Sequence, residues 1–120
     1  MTRNKEWLKE RLQYGIVLGN CKPGHWSDIE LGGSFLCDIS LAFNEKPELF
    51  EDSEIKEMFE KAMKGIEKLI VECNDDYFLL QSTFVPGRKI FPDKKKHWWW
   101  WLPEKVLNKE QLKEWETWVR

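Results

Sequence analysis

Cysteine is scarce in this chain, with Cys21, Cys37 and Cys73 the three in 120 residues. An odd number at wide spacing excludes a fully paired disulfide framework. It fits reduced, packed thiols, or one bridge beside one free thiol. Long apolar runs are missing as well. The longest uncharged apolar stretches, residues 34–37 and 39–43, are far short of the roughly 20 residues that span a bilayer as a helix, so no membrane partner is expected. The first residues, Met1-Thr2-Arg3-Asn4-Lys5-Glu6, lack the apolar centre of a secretory signal. The expected location is therefore cytoplasmic.

Ligand-bearing motifs are equally sparse. Of the two histidines, His25 follows Cys21 at a four-residue spacing, which supplies two metal ligands where a structural zinc site needs four. Cys37, Cys73 and His97 form no second close pair, and no metal is expected. Leu31-Gly32-Gly33-Ser34 lacks both the spacing and the lysine of a phosphate-binding loop, and no cofactor is expected either. On paper, Cys21 or Cys37 with His25 or His97 and Asp28 or Asp38 makes a nucleophilic set. Nothing in their flanking residues marks an activated nucleophile, and the paired acids Asp28 and Glu30 share a face only if extended. The chain reads as a non-enzyme.

What remains is a chain of single-domain length, residues 1–120, with 42% hydrophobic and 33% charged residues. The net charge of −2 hides an asymmetry. Residues 44–76 hold 11 acidic and 5 basic side chains, a net −6, whereas residues 86–97 carry +4. Segregated charge steers partners. Its plainer meaning for the acidic segment is the solvated face of a surface helix.

Two helices have complete signatures. Residues 53–73, capped by Asp52, place Ile55, Met58, Phe59, Ala62, Ile66, Leu69 and Ile70 at three- and four-residue steps. A C-terminal helix begins at Asn108, with Gln111 completing a capping box and Leu107 and Leu112 in the staple positions. A first helix is predicted over residues 3–13, capped by Thr2 and ended by Gly15, with Ile16-Val17-Leu18 as its end or a short strand. A loop over residues 19–27 turns at Pro23-Gly24, and residues 44–51 connect through Pro47.

Three segments read as strands. Residues 34–43 alternate, with Phe35, Cys37, Ile39, Leu41 and Phe43 on one face. Residues 77–85 are apolar on both faces and end at Pro86-Gly87. Residues 96–102 contain four consecutive tryptophans, Trp98 to Trp101, half of the eight in the chain. In a strand Trp98 and Trp100 share one face, and Trp99 and Trp101 the other. The expected fold class is α+β: a small antiparallel sheet of about three strands, one long central helix, and shorter N- and C-terminal helices.

The Trp run carries the functional expectation. Both faces are covered by helices, or one face is open to a protein, or the rings stack on bases of single-stranded nucleic acid. Lys94, Lys95 and Lys96 also guard an apolar strand against aggregation. The reading adopted is a protein-binding module, such as an inhibitor, immunity-type or assembly adaptor protein. Its contact residues are Arg88, Lys89, Lys94, Lys95, Lys96, Trp98, Trp99, Trp100 and Trp101. A homodimer is a subcase, because an aromatic edge strand can pair with its own copy. Nucleic acid is the alternative partner, disfavoured by the net charge.

Overall fold

The computed structural model describes residues 4–19, 26–72 and 77–119, with the side chains of residues 26–30 left aside. Among the described residues there are six α-helices and no strand. Helices α1 (Lys5–Gly19) and α2 (Trp26–Glu45) are followed by a 3₁₀ helix at Pro47–Glu51 and by α3 (Ser53–Glu72). Then come α4 (Tyr77–Ile90), a 3₁₀ turn formed by Trp98–Trp101, and helices α5 (Leu102–Val106) and α6 (Lys109–Val119). The expected α+β fold is thereby overturned. All three predicted strands are helical.

The reason is the same in each case. A run that is apolar at nearly every position matches a period of 2 and a period of 3.6 alike. In α2 the buried residues include Gly32, Phe35, Leu36, Ile39, Ser40 and Ala42, one stripe of a helix, while Leu41 from the predicted strand face is 42% exposed. In α4 the buried set is Leu79, Leu80, Phe84 and Gly87, again a helical stripe. Pro86 lies inside α4 rather than ending the element. Its side is exposed, so its ring faces away from the core.

Capping was legible where it is local. Asp52 Oδ1 accepts from the backbone N–H of Glu54 at 3.0 Å and of Ile55 at 3.2 Å, as the N-cap of α3 should. Asn108 and Gln111 exchange both hydrogen bonds of the capping box, each at 2.9 Å. Helix α1 is capped by Asn4, whose Oδ1 accepts from Trp7 N–H at 3.0 Å. Thr2, the Pro23-Gly24 turn, Cys21, His25 and Cys73 lie outside the described residues.

Gly15 does not end α1. It lies buried within the helix, its missing Cβ leaving room for the Phe35 ring of α2. One turn later, Gly19 meets Gly65 of α3 backbone to backbone; a Cβ built on Gly65 would stand 2.8 Å from the Gly19 Cα. This close crossing makes α1 and α3 the most extensive helix pair in the fold. Leu8, Leu12 and Leu18 from α1 enter the core beside Ile55, Ala62, Ile66 and Leu69 of α3. Helix α2 packs on α1 and also on α4, and α4 in turn carries α6. No helix among the described residues is long and apolar enough to cross a membrane.

The acidic surface of α3 is partly neutralised between helices. Glu54 pairs with Lys9 at 3.2 Å, Glu67 with Lys105 at 3.1 Å, and Asp52 with Lys5 at 3.1 Å. Exposed pairs of this kind contribute little stability, because water screens them.

Candidate functional site

The tryptophan run is a 3₁₀ turn, with three residues per revolution. Trp99 and Trp100 occupy the inner side, Trp98 lies beside Phe59, and Trp101 lies under the Arg88 guanidinium. Trp99 and Trp100 are each 1% exposed, Trp98 is 37% exposed, and Trp101 is half-buried. Two adjacent buried indoles are incompatible with the one-wet-face strand expected from the sequence.

The turn is anchored from three directions. The Ser40 hydroxyl of α2 accepts from Trp99 Nε1 at 2.8 Å and from Trp100 Nε1 at 3.0 Å. Arg88 of α4 donates from Nε to the Trp100 carbonyl at 2.9 Å and from Nη2 to Glu104 at 2.5 Å. Its guanidinium also lies over the Trp101 and Trp115 rings, 5.3 and 5.7 Å from their centroids. Glu104 accepts a second bond, from Trp115 Nε1, which ties α6 to the same node. Arg88, Trp100 and Trp101 thus hold the fold together.

The lysines before the turn are arranged by Asp93. Its Oδ1 accepts from the N–H of Lys95 at 3.1 Å and of Lys96 at 3.3 Å, and its carbonyl accepts from His97 N–H at 2.9 Å. The backbone is thereby wound into a turn that leaves all three lysine side chains exposed.

Beside this turn opens a cleft of about 500 Å³. Phe43 of α2, Phe50 of the first 3₁₀ helix, Phe59 of α3, and Trp98 and Trp99 form its aromatic surface. Their rings meet edge to face, with centroids 5.2 Å apart for Phe43–Phe50, 5.7 Å for Phe50–Phe59 and 6.0 Å for Phe59–Trp98. That is the preferred geometry for aromatic pairs. Lys56, Lys95, Lys96 and Glu60 supply the polar lining. Trp98 is held in place by Lys105, whose Nζ lies 5.7 Å from its ring centroid and also binds Glu67.

Of the nine contact residues expected from sequence, Lys95, Lys96, Trp98 and Trp99 line this cleft. Arg88, Trp100 and Trp101 belong to the buried node, while Lys89 and Lys94 are exposed and are not part of the cleft lining. Sequence reasoning missed Phe43, Phe50, Phe59, Lys56 and Glu60. Phe59 sat in the apolar stripe of its helix and read as core. Phe50, beside Pro47 in a presumed connection, was the available signal: a large ring in a loop needs something to pack on.

His97 forms part of the same aromatic cluster. Its ring lies 5.3 Å from Trp99, 5.0 Å from Phe91 and 5.9 Å from Phe43. Nε2 is 3.0 Å from Asn44 Oδ1, to which it donates, and Nδ1 is buried without a partner. Burial pushes the His97 pKa below its ordinary 6.5; Asp93 opposes the shift and Lys96 adds to it. Above pH 6.5 the ring is neutral both folded and unfolded. Below it the unfolded chain takes up a proton that the folded chain resists, so stability falls until the folded ring protonates. Urea denaturation between pH 7.5 and 5 should show this decline, and a His97→Gln variant should flatten it. An unchanged slope in that variant would assign the acid sensitivity elsewhere.

Other candidate chemistry is weaker. Burial, and then the charge of Asp38, raise the Cys37 thiol above its ordinary pKa, the reverse of what an attacking thiolate requires. Asp38 itself is engaged by Arg11. A shallow groove lined by Lys61, Lys64 and Lys68 flanks Gly19 and Gly65. It adjoins the C-terminal end of α1, where the helix dipole is negative and cations are stabilising without any ligand. Among the described residues no group of three or more His, Cys, Asp or Glu is placed to hold a metal ion.

No known family, curated protein or solved structure matches this chain.

Proposed function

We propose that this protein is a non-enzymatic, cytoplasmic binding module that engages a larger acidic protein partner through the aromatic–lysine cleft. The observation that supports this reading above others is the cleft itself. Four separate elements contribute rings to one concave surface, and those rings leave it open instead of closing over it. Packing alone favours closure, since each ring buried removes apolar area from water. Exposed tryptophan beside cations is the composition of an interface anchor with a steering rim. Inhibitors, immunity-type neutralisers and assembly adaptors all work through such surfaces.

The contact set follows from accessibility. Trp98, with Phe43, Phe50 and Phe59 around it, is the anchor surface. Lys56, Lys95 and Lys96 attract acidic groups, with exposed Lys94 nearby in sequence. A Trp98→Ala variant should stay folded at a cost of about 2–3 kcal/mol, because roughly a third of the residue already meets water while the rest packs on Phe59 and Trp99. It should weaken partner binding by about 2 kcal/mol or more. If it unfolds the chain, Trp98 is a structural residue and the reading falls.

A photo-crosslinking residue placed at Lys56 identifies the partner directly in lysate. The expected adduct is a protein, survives nuclease, and is lost in a Lys95→Glu/Lys96→Glu variant. An adduct that nuclease removes points to nucleic acid, and one that persists in the charge-reversed variant places binding elsewhere. A covalent pair of two copies of the chain would make the cleft a self-interface.

A further inference from the structure

The cleft's dimensions and charge specify more than its use as an interface. Resting on the reading above, we infer that it takes a single bulky apolar side chain from a flexible acidic segment, rather than a broad folded surface. A volume of about 500 Å³ sits toward the lower end of the range for ligand pockets, roughly 300–1,000 Å³. That seats a large aromatic or aliphatic side chain together with parts of the residues beside it, and is far too small for a folded surface. The aromatic lining is supplied by rings already braced on one another and, at Trp98, by Lys105, so the anchor site exists before binding. Preorganisation of this kind lowers the cost of capturing a disordered segment.

Charge sets the flanks of that segment. Three of the four charged residues in the lining are lysines, which disfavours a cationic side chain or a quaternary ammonium despite the aromatic box. Glu60 breaks the symmetry. It shares α3 with Lys56 and sits one turn further on, whereas Lys95 and Lys96 come from the turn whose Asp93 carboxylate is already occupied by their backbone N–H groups and lies outside the lining. Carboxylates next to the anchor therefore belong on the Lys95/Lys96 side, and Glu60 repels them on its own side.

The test uses the full chain and three synthetic peptides, followed by NMR shift titration. They are acetyl-Glu-Asp-Phe-Asp-Glu-amide, its alanine-centred counterpart and its lysine-flanked counterpart. The phenylalanine peptide should bind roughly tenfold or more tightly than either of the others, the size expected for an anchor and a matched rim. Its shifts should centre on Phe59 and the Trp98 indole. Glu60→Gln should tighten it severalfold, and Lys95→Glu/Lys96→Glu should reverse the preference toward the lysine-flanked peptide. Equal binding of the phenylalanine and alanine peptides overturns the single-anchor inference while leaving an acidic partner in place. If no peptide binds but the Lys56 crosslink to a protein forms, the segment inference fails and the interface reading survives. If an oligothymidylate displaces the peptide and binds more tightly, both fail.

Discussion

Ser40→Ala is expected to destabilise the protein by about 2–5 kcal/mol, although it removes a single oxygen atom. The Ser40 hydroxyl is fully buried and accepts two indole N–H groups, from Trp99 and Trp100. A hydroxyl oxygen has two lone pairs, so both are used. Without it, two donors at the centre of the core have no acceptor. Each orphaned buried donor costs roughly 1–3 kcal/mol, and the transfer of a small methyl group offsets little of this. Urea denaturation measures the loss. A Trp99→Phe background, which needs only one acceptor, should reduce the cost of the serine change by about 1 kcal/mol or more in a double-mutant cycle. A loss below about 1 kcal/mol would mean that the indoles find another acceptor, and Ser40 would not be the clamp of the turn.

Gly87→Ala provides the second large effect, because two principles predict opposite signs. In an exposed helix interior, alanine in place of glycine stabilises by up to about 1 kcal/mol. Here the Trp100 ring lies directly against the Gly87 backbone, and an added Cβ would overlap its six-membered ring. That ring cannot yield. Its Nε1 is bound to Ser40, Phe91 is stacked on it at 6.0 Å with 5° between planes, and Phe84 meets it edge-on at 6.2 Å. Overpacking against a pinned ring should dominate, for a net loss of about 3 kcal/mol. Thermal and urea denaturation give the sign directly. Pairing the change with Trp100→Phe, which shrinks the ring, should recover part of the loss. A stabilised Gly87→Ala protein would mean that Trp100 is free to move, and the rigid node around Arg88 and Glu104 would have to be reconsidered.

Both variants act on the inner side of the tryptophan turn, whereas the proposed binding function uses the outer side. The division follows from the threefold winding of the turn. Trp99 and Trp100 brace α2 and α4, and that bracing leaves Trp98 at the mouth of the cleft. A stable core and an exposed anchor therefore come from four consecutive residues. Loss of stability in Trp100 variants and loss of binding in Trp98 variants should separate cleanly, whereas Trp99, which is both buried and part of the cleft lining, should affect both.

Two of the three misread strands share a compositional clue. Residues 34–43 contain one β-branched side chain, Ile39, and residues 98–101 contain none. Strands favour β-branched and aromatic residues, and the aromatic count outweighed the lack of branching. Length also argued for helix, since a ten-residue segment exceeds most strands. Alternation over residues 34–43 was real but coincidental: Phe35 and Ile39 belong to both patterns, whereas Leu36 and Ala42 belong only to the helical one.

What the sequence determined by itself is the part encoded within a few residues. The Asp52 cap, the reciprocal Asn108–Gln111 box and the stripe of α3 all rest on hydrogen bonds or spacings inside one helix, and each was present as read. It also marked the Lys/Trp segment as unusual, and two of those lysines and two of those tryptophans do line the cleft. Tertiary structure decided the rest. Where a segment is apolar on every side, period carries no information, and only the neighbours choose between strand and helix. Ser40 and Arg88 chose which indoles turn inward, from 59 residues before Trp99 and 12 before Trp100. Phe43, Phe50, Phe59 and Trp98 become one surface only when four elements meet, a contact that no local spacing can write.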